Sequence, residues 1–215
     1  MYRNIMFDLD GTVTDSGRAI TGSVECALSR FGYYNQPLEK LKTFIGPSLF
    51  DSFSREYGMN EEDATLAVKY YREDYEKGRM YDVDLYEGIP ELIRELKNRG
   101  FRIFLVTSKP GHFSVRIAEH IGLLPYFEDV ITPTLTDHSS DKRLLIDRVV
   151  SEYGLNREEC LMIGDTRFDI LGAKDAGVDS VGVTYGYGKK EELVEAGATY
   201  LADSAGEIPV VAGLF

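Results

Sequence analysis

Two carboxylates, Asp8 and Asp10, stand one residue apart, directly after the apolar run Ile5-Met6-Phe7 and just before Gly11. Residues i and i+2 of an extended strand point the same way, so both acids are expected where this strand stops. Two acids at one place repel each other unless a cation lies between them or one keeps its proton. The pair therefore predicts bound magnesium, or a nucleophile beside a general acid. The alternative is a solvated turn, because Asp and Gly are common turn residues.

Polar residues also follow two later apolar runs. Thr107-Ser108-Lys109 and Gly164-Asp165 each come directly after such a run, and Asp169 lies four residues beyond Asp165. In open parallel sheets ligands bind at the carboxyl ends of the strands, and we expect these ends to lie side by side. Lys142, at the start of the helix before the Gly164-Asp165 strand, is expected to point its ammonium group to the same place.

These side chains predict a particular ligand chemistry. Several buried acids would be costly without compensation, and a hard divalent cation with oxygen ligands provides it. Magnesium binds carboxylates, waters and phosphate oxygens. Thr107 can donate a hydrogen bond to a phosphate group, and Lys142 supplies a positive charge for it. We therefore expect Mg²⁺ as the cofactor.

The elements that must position these residues alternate between short apolar runs and helical segments. After the first run, the others are residues 103–106, 130–131, 161–163, 181–183 and 200–201. Continuous apolar strands that alternate with helices are typical of a parallel sheet covered on both faces. Helical spacing over residues 89–99 ends at Gly100, and a second helix has Ser139, Ser140 or Asp141 as its possible N-cap. We predict the α/β class, with a Rossmann-like parallel sheet in three layers, α/β/α.

One stretch breaks this alternation. From about Ser16 to Tyr86 no convincing strand is found, and amphipathic helical spacing dominates. A segment of roughly seventy residues is long enough to be a small domain. We predict a core domain over residues 1–15 and 87–215 and an inserted helical cap domain over residues 16–86. Tyr185-Gly186-Tyr187-Gly188 is predicted to be a mobile loop without a chemical role.

The composition limits the partners. The chain of 215 residues has a formal net charge of −12. A nucleic-acid polymer or an anionic membrane favours a basic surface, so neither is expected as a partner. No run approaches the roughly 20 apolar residues of a membrane span. We expect a cytoplasmic protein, either a monomer or a homodimer.

Four motifs in order resemble those of the haloacid dehalogenase superfamily of phosphotransferases. They are Asp8-Leu9-Asp10-Gly11-Thr12, Thr107-Ser108-Lys109, Lys142 and Gly164-Asp165-Thr166-Arg167-Phe168-Asp169. The helical segment between the first two looks like that superfamily's small α-helical cap. Within the superfamily the chain is most similar to the phosphoglycolate-phosphatase-like branch, whose members include phosphoglycolate phosphatases and 5'-nucleotidases. The resemblance implies a magnesium-dependent phosphatase that acts on a small phosphorylated metabolite.

The resemblance also implies a role for each catalytic residue. Asp8 would attack phosphorus and form an aspartyl-phosphate. Asp10 would protonate the leaving alcohol and then take a proton from the water that hydrolyses the intermediate. Thr107, Ser108 and Lys142 would bind the transferring phosphoryl group, where positioning and charge neutralisation provide most of the catalysis.

Two further sets of residues are implied in the same way. Magnesium would be held by Asp8, the backbone carbonyl of Asp10, and Asp165. Asp169 would bind it through water or would brace the phosphate-binding lysine. The alternative for Asp169 is the N-cap of the following helix. In the cap, Gly46-Pro47-Ser48 is expected to contact substrate, and a simple turn is the alternative.

The sequence leaves several alternatives open. Lys109 competes with Lys142 as the phosphate-binding cation, because the prolines that follow this lysine in many relatives are absent after Lys142. Phosphoglycolate is the first substrate candidate, and nucleoside 5'-monophosphates are the second. A sugar-phosphate mutase would use the same intermediate. A signalling module with a phosphorylated aspartate is the non-enzymatic alternative, and the general acid at Asp10 argues against it.

Overall fold

The computed structural model describes residues 1–133 and 141–215, so the N-cap candidates Ser139 and Ser140 lie outside the described residues. The chain divides into two compact units. Unit 1 comprises Met1–Asp15 and Leu85–Phe215, and unit 2 comprises Ser16–Asp84. The second unit is thus an insertion near the start of the first. No described helix is long and apolar enough to cross a membrane.

Unit 1 is built on a six-stranded parallel sheet. Its strands are β1 (Asn4–Phe7), β4 (Arg102–Val106), β5 (Asp129–Ile131), β6 (Cys160–Gly164), β7 (Asp179–Val183) and β8 (Tyr200–Ala202). Their order across the sheet is β5-β4-β1-β6-β7-β8. Each predicted apolar run is part of one of these strands. The two short strands β2 (Thr14–Asp15) and β3 (Asp84–Leu85) form a separate two-stranded sheet. The expectation of no strand between Ser16 and Tyr86 was therefore wrong for β3.

The register brings three strand ends together. Phe7 at the end of β1 pairs with Leu105 of β4 on one side and with Ile163 of β6 on the other. The chain runs outward from β1 through β4 to β5, then returns to the opposite side of β1 at β6. Ligand sites of open α/β sheets lie where the strand order reverses in this way. The prediction that these three strand ends are neighbours is confirmed.

Helices flank this sheet. In unit 1 they are α5 (Ile89–Asn98), α6 (Gly111–His120), α7 (Lys142–Glu152), α8 (Arg167–Asp175), α9 (Lys190–Ala196) and α10 (Ile208–Ala212), with 3₁₀ turns at Leu124–Tyr126, Arg157–Glu159 and Ala205–Glu207. Asp141 caps α7 by accepting a hydrogen bond from the Arg143 amide. The α/β class with a Rossmann-like sheet is confirmed.

A close contact between α7 and α8 depends on Gly172. A Cβ atom there would lie 2.7 Å from the Cβ of Lys142 and 2.9 Å from the backbone nitrogen of Arg143. Real Cβ atoms essentially never approach other heavy atoms below 3.0 Å. The missing side chain at Gly172 therefore lets the first turn of α7 pack directly against α8.

Unit 2 is helical. It contains α1 (Gly17–Ser29), α2 (Leu38–Lys42), α3 (Leu49–Tyr57) and α4 (Glu61–Glu76), followed by a 3₁₀ turn at Arg79–Tyr81. The rings of Phe44 and Phe53 meet edge-on with centroids 4.8 Å apart, and both are buried. Amphipathic spacing between Ser16 and Tyr86 correctly predicted these helices, because their apolar faces form the core of this unit.

Candidate active site

Lys142 joins two acids at the carboxyl edge of the sheet. Its Nζ donates to Asp8 Oδ1 at 2.6 Å and pairs with Asp169 Oδ1 at 2.8 Å. The same Nζ donates to the backbone carbonyl of Val106 at 2.9 Å. An ammonium group has three donors, and three acceptors surround this one. All three charged side chains are buried, so Lys142 is held rigidly among β1, β4 and α8.

Asp165 is fixed differently, by neutral donors. The Thr12 hydroxyl donates to Oδ1 at 3.3 Å, and the backbone N–H of Tyr187 donates to Oδ2 at 2.8 Å. The Asp165 side chain has no exposed surface. Gly11 has a positive φ (+89°), which favours glycine, and a Cβ atom there would overlap the Asp165 carboxylate. The lack of a side chain at Gly11 therefore lets the turn after β1 pack directly against this acid.

The electrostatics show an excess of acid. Burial raises the pKa of Asp8 to about 6, although Lys142 favours its ionised form. Burial also raises the pKa of Asp165 well above its usual range, and Asp169 and Asp8 add to this effect. Burial alone would lower the pKa of Lys142, but Asp169 and Asp8 outweigh it and raise the pKa. One lysine does not balance three neighbouring carboxylates.

These three carboxylates fit a divalent cation. Asp8, Asp165 and Asp169 each offer an oxygen within 4.8 Å of the other two, and all are buried. Hard cations such as magnesium prefer oxygen ligands, and their charge would offset the desolvation cost of the acids. The side chain of Asp10 is not one of these three carboxylates, and the role of its backbone carbonyl as a ligand stays a prediction.

Asp10 pairs with Lys109 instead. Lys109 Nζ donates to Asp10 Oδ2 at 2.6 Å, and the lysine side chain is 8% exposed. The other oxygen, Asp10 Oδ1, is buried without a hydrogen-bond partner in residues 1–133 and 141–215. The two lysines that the sequence left in competition thus have separate carboxylate partners.

Thr107 lies next to Lys142, because Lys142 binds the carbonyl of the preceding residue. It is 2% exposed, and its Oγ1 accepts a hydrogen bond from the Lys109 amide at 3.3 Å, which leaves the hydroxyl hydrogen to donate elsewhere. Ser108 follows, half-buried, at the end of β4. The structure thus places Thr107 and Ser108 at the predicted edge, and their phosphate contacts stay a prediction.

Two features were missed from the sequence. The loop of residues 185–188 was expected to have no chemical role, yet the Tyr187 N–H binds Asp165 directly. Asp169 is not the N-cap of α8. Thr166 is the N-cap, and Asp169 at position N3 accepts from the Thr166 amide and hydroxyl at 3.0 and 2.8 Å. This capping box leaves the other Asp169 oxygen to Lys142. Only its spacing, Thr166 three residues before an acid, signalled it in the sequence.

The predicted cap residues lie between α2 and α3 in unit 2. Gly46 has φ +101°, and Ser48 is the N-cap of α3, accepting from the Asp51 amide at 3.4 Å. Both are exposed, and Pro47 is half-buried. The turn at Gly46 and the N-cap of α3 account for these three residues locally. Their contact with substrate stays a prediction.

Residues 5–183 match the family described as haloacid dehalogenase-like hydrolase. The chain belongs to this family. The match spans β1 to β7 and therefore includes Asp8, Thr107, Lys142 and Asp165. The predicted family is confirmed, and with it the prediction of a hydrolytic enzyme.

Similar members of the haloacid dehalogenase-like family have been named. The chain is 42% identical to a 5'-nucleotidase of Pseudomonas aeruginosa, over 95% of this chain and 93% of the relative. It is 31% identical to phosphoglycolate phosphatase 1 of the same organism, over 94% and 76%. A crystal structure of a predicted phosphatase from Clostridium acetobutylicum has a TM-score of 0.90 and 39% identity, with 97% and 96% covered. These relatives support a phosphomonoester hydrolase.

Proposed function

We propose that this protein is a magnesium-dependent phosphatase that hydrolyses a small phosphomonoester through a phosphorylated Asp8. The observation that carries the proposal is the position of Asp8, which is held by Lys142 and lies within a buried group of three carboxylates. Asp8 is a buried acid with one oxygen bound by a lysine ammonium group, and it belongs to a group of carboxylates suited to Mg²⁺. This is the environment that a carboxylate nucleophile needs.

In the first step, Asp8 attacks the phosphorus atom of the ester. Lys142 holds Asp8 Oδ1 at 2.6 Å, so we assign the attack to Oδ2. A bond forms between Asp8 and phosphorus while the bond from phosphorus to the ester oxygen breaks. Asp10 donates its proton to that oxygen, which leaves as an alcohol. Asp10 Oδ1, which is buried and has no hydrogen-bond partner among the described residues, is the atom that we assign to this transfer.

In the second step, water hydrolyses the aspartyl-phosphate. Asp10 takes a proton from the attacking water, the bond between phosphorus and Asp8 breaks, and inorganic phosphate leaves. Thr107 and Lys142 orient the phosphoryl group in both steps. Asp8, the backbone carbonyl of Asp10, Asp165 and Asp169 would hold Mg²⁺, which when bound neutralises negative charge on the phosphoryl oxygens.

Two substrate classes are supported by different relatives. Nucleoside 5'-monophosphates are favoured by the 42% identity to a 5'-nucleotidase over nearly the whole chain. Phosphoglycolate is favoured by the 31% identity to a phosphoglycolate phosphatase. The mechanism above serves both classes, because only the leaving alcohol differs.

Phosphate release from a panel of esters tests the proposal. The panel contains phosphoglycolate, nucleoside 5'-monophosphates and sugar phosphates, each with Mg²⁺ and with a chelator. We expect Mg²⁺-dependent release that Asp8→Asn lowers at least about a thousandfold, because a carboxamide is not a nucleophile. Asp175→Asn, the same change at an exposed position of α8, is the matched control and should keep normal turnover.

Other outcomes would contradict the proposal in distinct ways. A phosphosugar isomer in place of free phosphate, seen by phosphorus NMR, would indicate a mutase. A stable phosphoprotein without phosphate release would indicate a signalling module. Full activity of Asp8→Asn would exclude Asp8 as the nucleophile.

A further inference from the structure

The loop of residues 185–188, which follows β7, is fastened to the carboxyl edge of the sheet at several points. The Tyr185 hydroxyl donates to the Thr12 carbonyl at 3.1 Å, and the Tyr187 hydroxyl donates to Asp15 Oδ1 at 2.5 Å. The ring of Tyr185 packs against Tyr86 with centroids 4.7 Å apart. Side chains thus fix this loop, which leaves its backbone in a defined place.

The backbone of the loop lies directly on Asp165. The Tyr187 N–H donates to Asp165 Oδ2 at 2.8 Å. A Cβ atom at Gly186 would overlap the Asp165 side chain, and one at Gly188 would overlap the Asp165 carbonyl oxygen. Glycine is therefore required on both sides of Tyr187 for the loop to approach so closely.

The opposite side of the carboxylate is held by Thr12. Its hydroxyl donates to Asp165 Oδ1 at 3.3 Å, so each oxygen of Asp165 accepts a hydrogen bond from a neutral donor. A carboxylate has about four lone-pair sites, so these donors do not saturate it and leave room for a cation. Neutral donors orient the carboxylate without cancelling its negative charge, whereas a lysine partner would cancel it.

We propose that Thr12 and the 185–188 loop form a clamp that positions Asp165 as a metal ligand. The inference rests on the proposed function, because it gives Asp165 the role of holding Mg²⁺. It adds that residues outside the ligand set determine the affinity for the cation. Donors that orient a ligand typically change metal affinity about 10- to 100-fold when they are lost.

Direct binding of Mn²⁺, measured by electron paramagnetic resonance without any ester, tests the clamp. We expect Gly186→Ala to weaken Mn²⁺ binding about 10- to 100-fold, because the added Cβ pushes the loop away from Asp165. Thr12→Val, which keeps the shape but removes the hydroxyl, should also weaken binding. Gly206→Ala is the matched control and should bind normally, because a Cβ there meets no atom closer than 4.0 Å.

A second readout separates positioning from general stability. Thermal unfolding in chelator identifies a variant that is only less stable, and the activity of a clamp variant should recover largely at saturating Mn²⁺. Wild-type affinity in both variants, or no Mn²⁺ binding by the wild type, would overturn the clamp. If Gly186→Ala does not fold, Thr12→Val decides alone. Weakened binding without hydrolysis of any ester would keep the clamp and refute the phosphatase.

Discussion

Lys142 is the residue whose contacts most constrain the site. Its ammonium group is buried and binds Asp8, Asp169 and the Val106 carbonyl. Removal of one partner from a buried ion pair typically costs 3–5 kcal/mol, because the remaining charge is left uncompensated. Here the loss would leave two acids beside a third, so both the stability of unit 1 and the position of Asp8 depend on this lysine.

The two lysines should differ when each is replaced by alanine. We expect Lys142→Ala to lower kcat/KM about 100- to 1,000-fold. A loss of this size is typical when a group that stabilises negative charge in the transition state is removed. Lys109→Ala should have a smaller effect, because the ammonium group of Lys109 pairs with Asp10, whereas that of Lys142 binds Asp8 itself. Steady-state kinetics on the best ester of the panel measure both. Near-normal turnover of Lys142→Ala together with inactive Lys109→Ala would reverse the assignment.

Among individual residues, charged groups could be predicted from the sequence better than neutral hydrogen-bond donors. Asp8, Asp165 and Lys142 could be placed because each follows or precedes an apolar run, and charged groups at strand ends are informative. The Tyr187 N–H could not be found in the same way. Every residue except proline carries a backbone donor, so its use depends on where the loop lies. The pairing of Lys109 with Asp10 likewise depends on the fold.

Among the elements, the contact between α7 and α8 determines the position of Lys142. The helix α7 begins at Lys142, and Gly172 of α8 leaves room for its first turn. The clash that a Cβ would cause at Gly172 involves the backbone nitrogen of Arg143 at 2.9 Å, which cannot move without shifting the helix. The position of the lysine is thus a property of two packed helices.

Gly172→Ala tests this dependence. Alanine favours a helix interior over glycine by about 1 kcal/mol, so propensity alone predicts a more stable protein. We expect the opposite, because the clash with Lys142 and Arg143 opposes the packing of α7. The variant should have a lower melting temperature and a lower kcat, measured by calorimetry and by phosphate release. A raised melting temperature with unchanged kcat would contradict the proposed contact.

The strands were the most predictable elements. Every run from 103–106 to 200–201 became part of the parallel sheet, because strands buried on both faces have continuous apolar sequences. The short β3 strand was missed, since Asp84 and Leu85 have no apolar periodicity. The close approach of the 185–188 loop to Asp165 was missed as well. A glycine-rich sequence is typical of a flexible loop as well as of a loop that packs tightly against a side chain.

In the molecule as a whole, unit 2 contains a polar network of its own. Asp74 accepts a hydrogen bond from the Ser23 hydroxyl at 2.8 Å and pairs with Arg79. Partial burial disfavours ionisation of Asp74, but hydrogen bonds from Arg79 and Ser23 outweigh it and hold the pKa of Asp74 below its usual value. The network links α1, α4 and the 3₁₀ turn at Arg79–Tyr81.

The stability of the protein should therefore depend on acid pH through Asp74. A carboxylate with a lowered pKa stabilises the fold above its unfolded pKa of about 3.9, and this contribution is lost as the pH falls through the folded pKa. We expect Asp74→Asn to cost about 1–3 kcal/mol at pH 6. The difference from wild type should shrink toward pH 3 in urea unfolding. A difference that is constant with pH would contradict this role, and Asp175→Asn serves as the exposed control.

The insertion of unit 2 after Asp15 also affects the order of events during synthesis. The strand β1, which ends just before Asp8, is made before unit 2, but its partners are Arg102–Val106 and Cys160–Gly164, which are made much later. Unit 2 is continuous in sequence and can form its local helical contacts in the meantime. The nascent β1 must wait as an unpaired apolar segment, and assembly of the catalytic centre is therefore among the last events of folding.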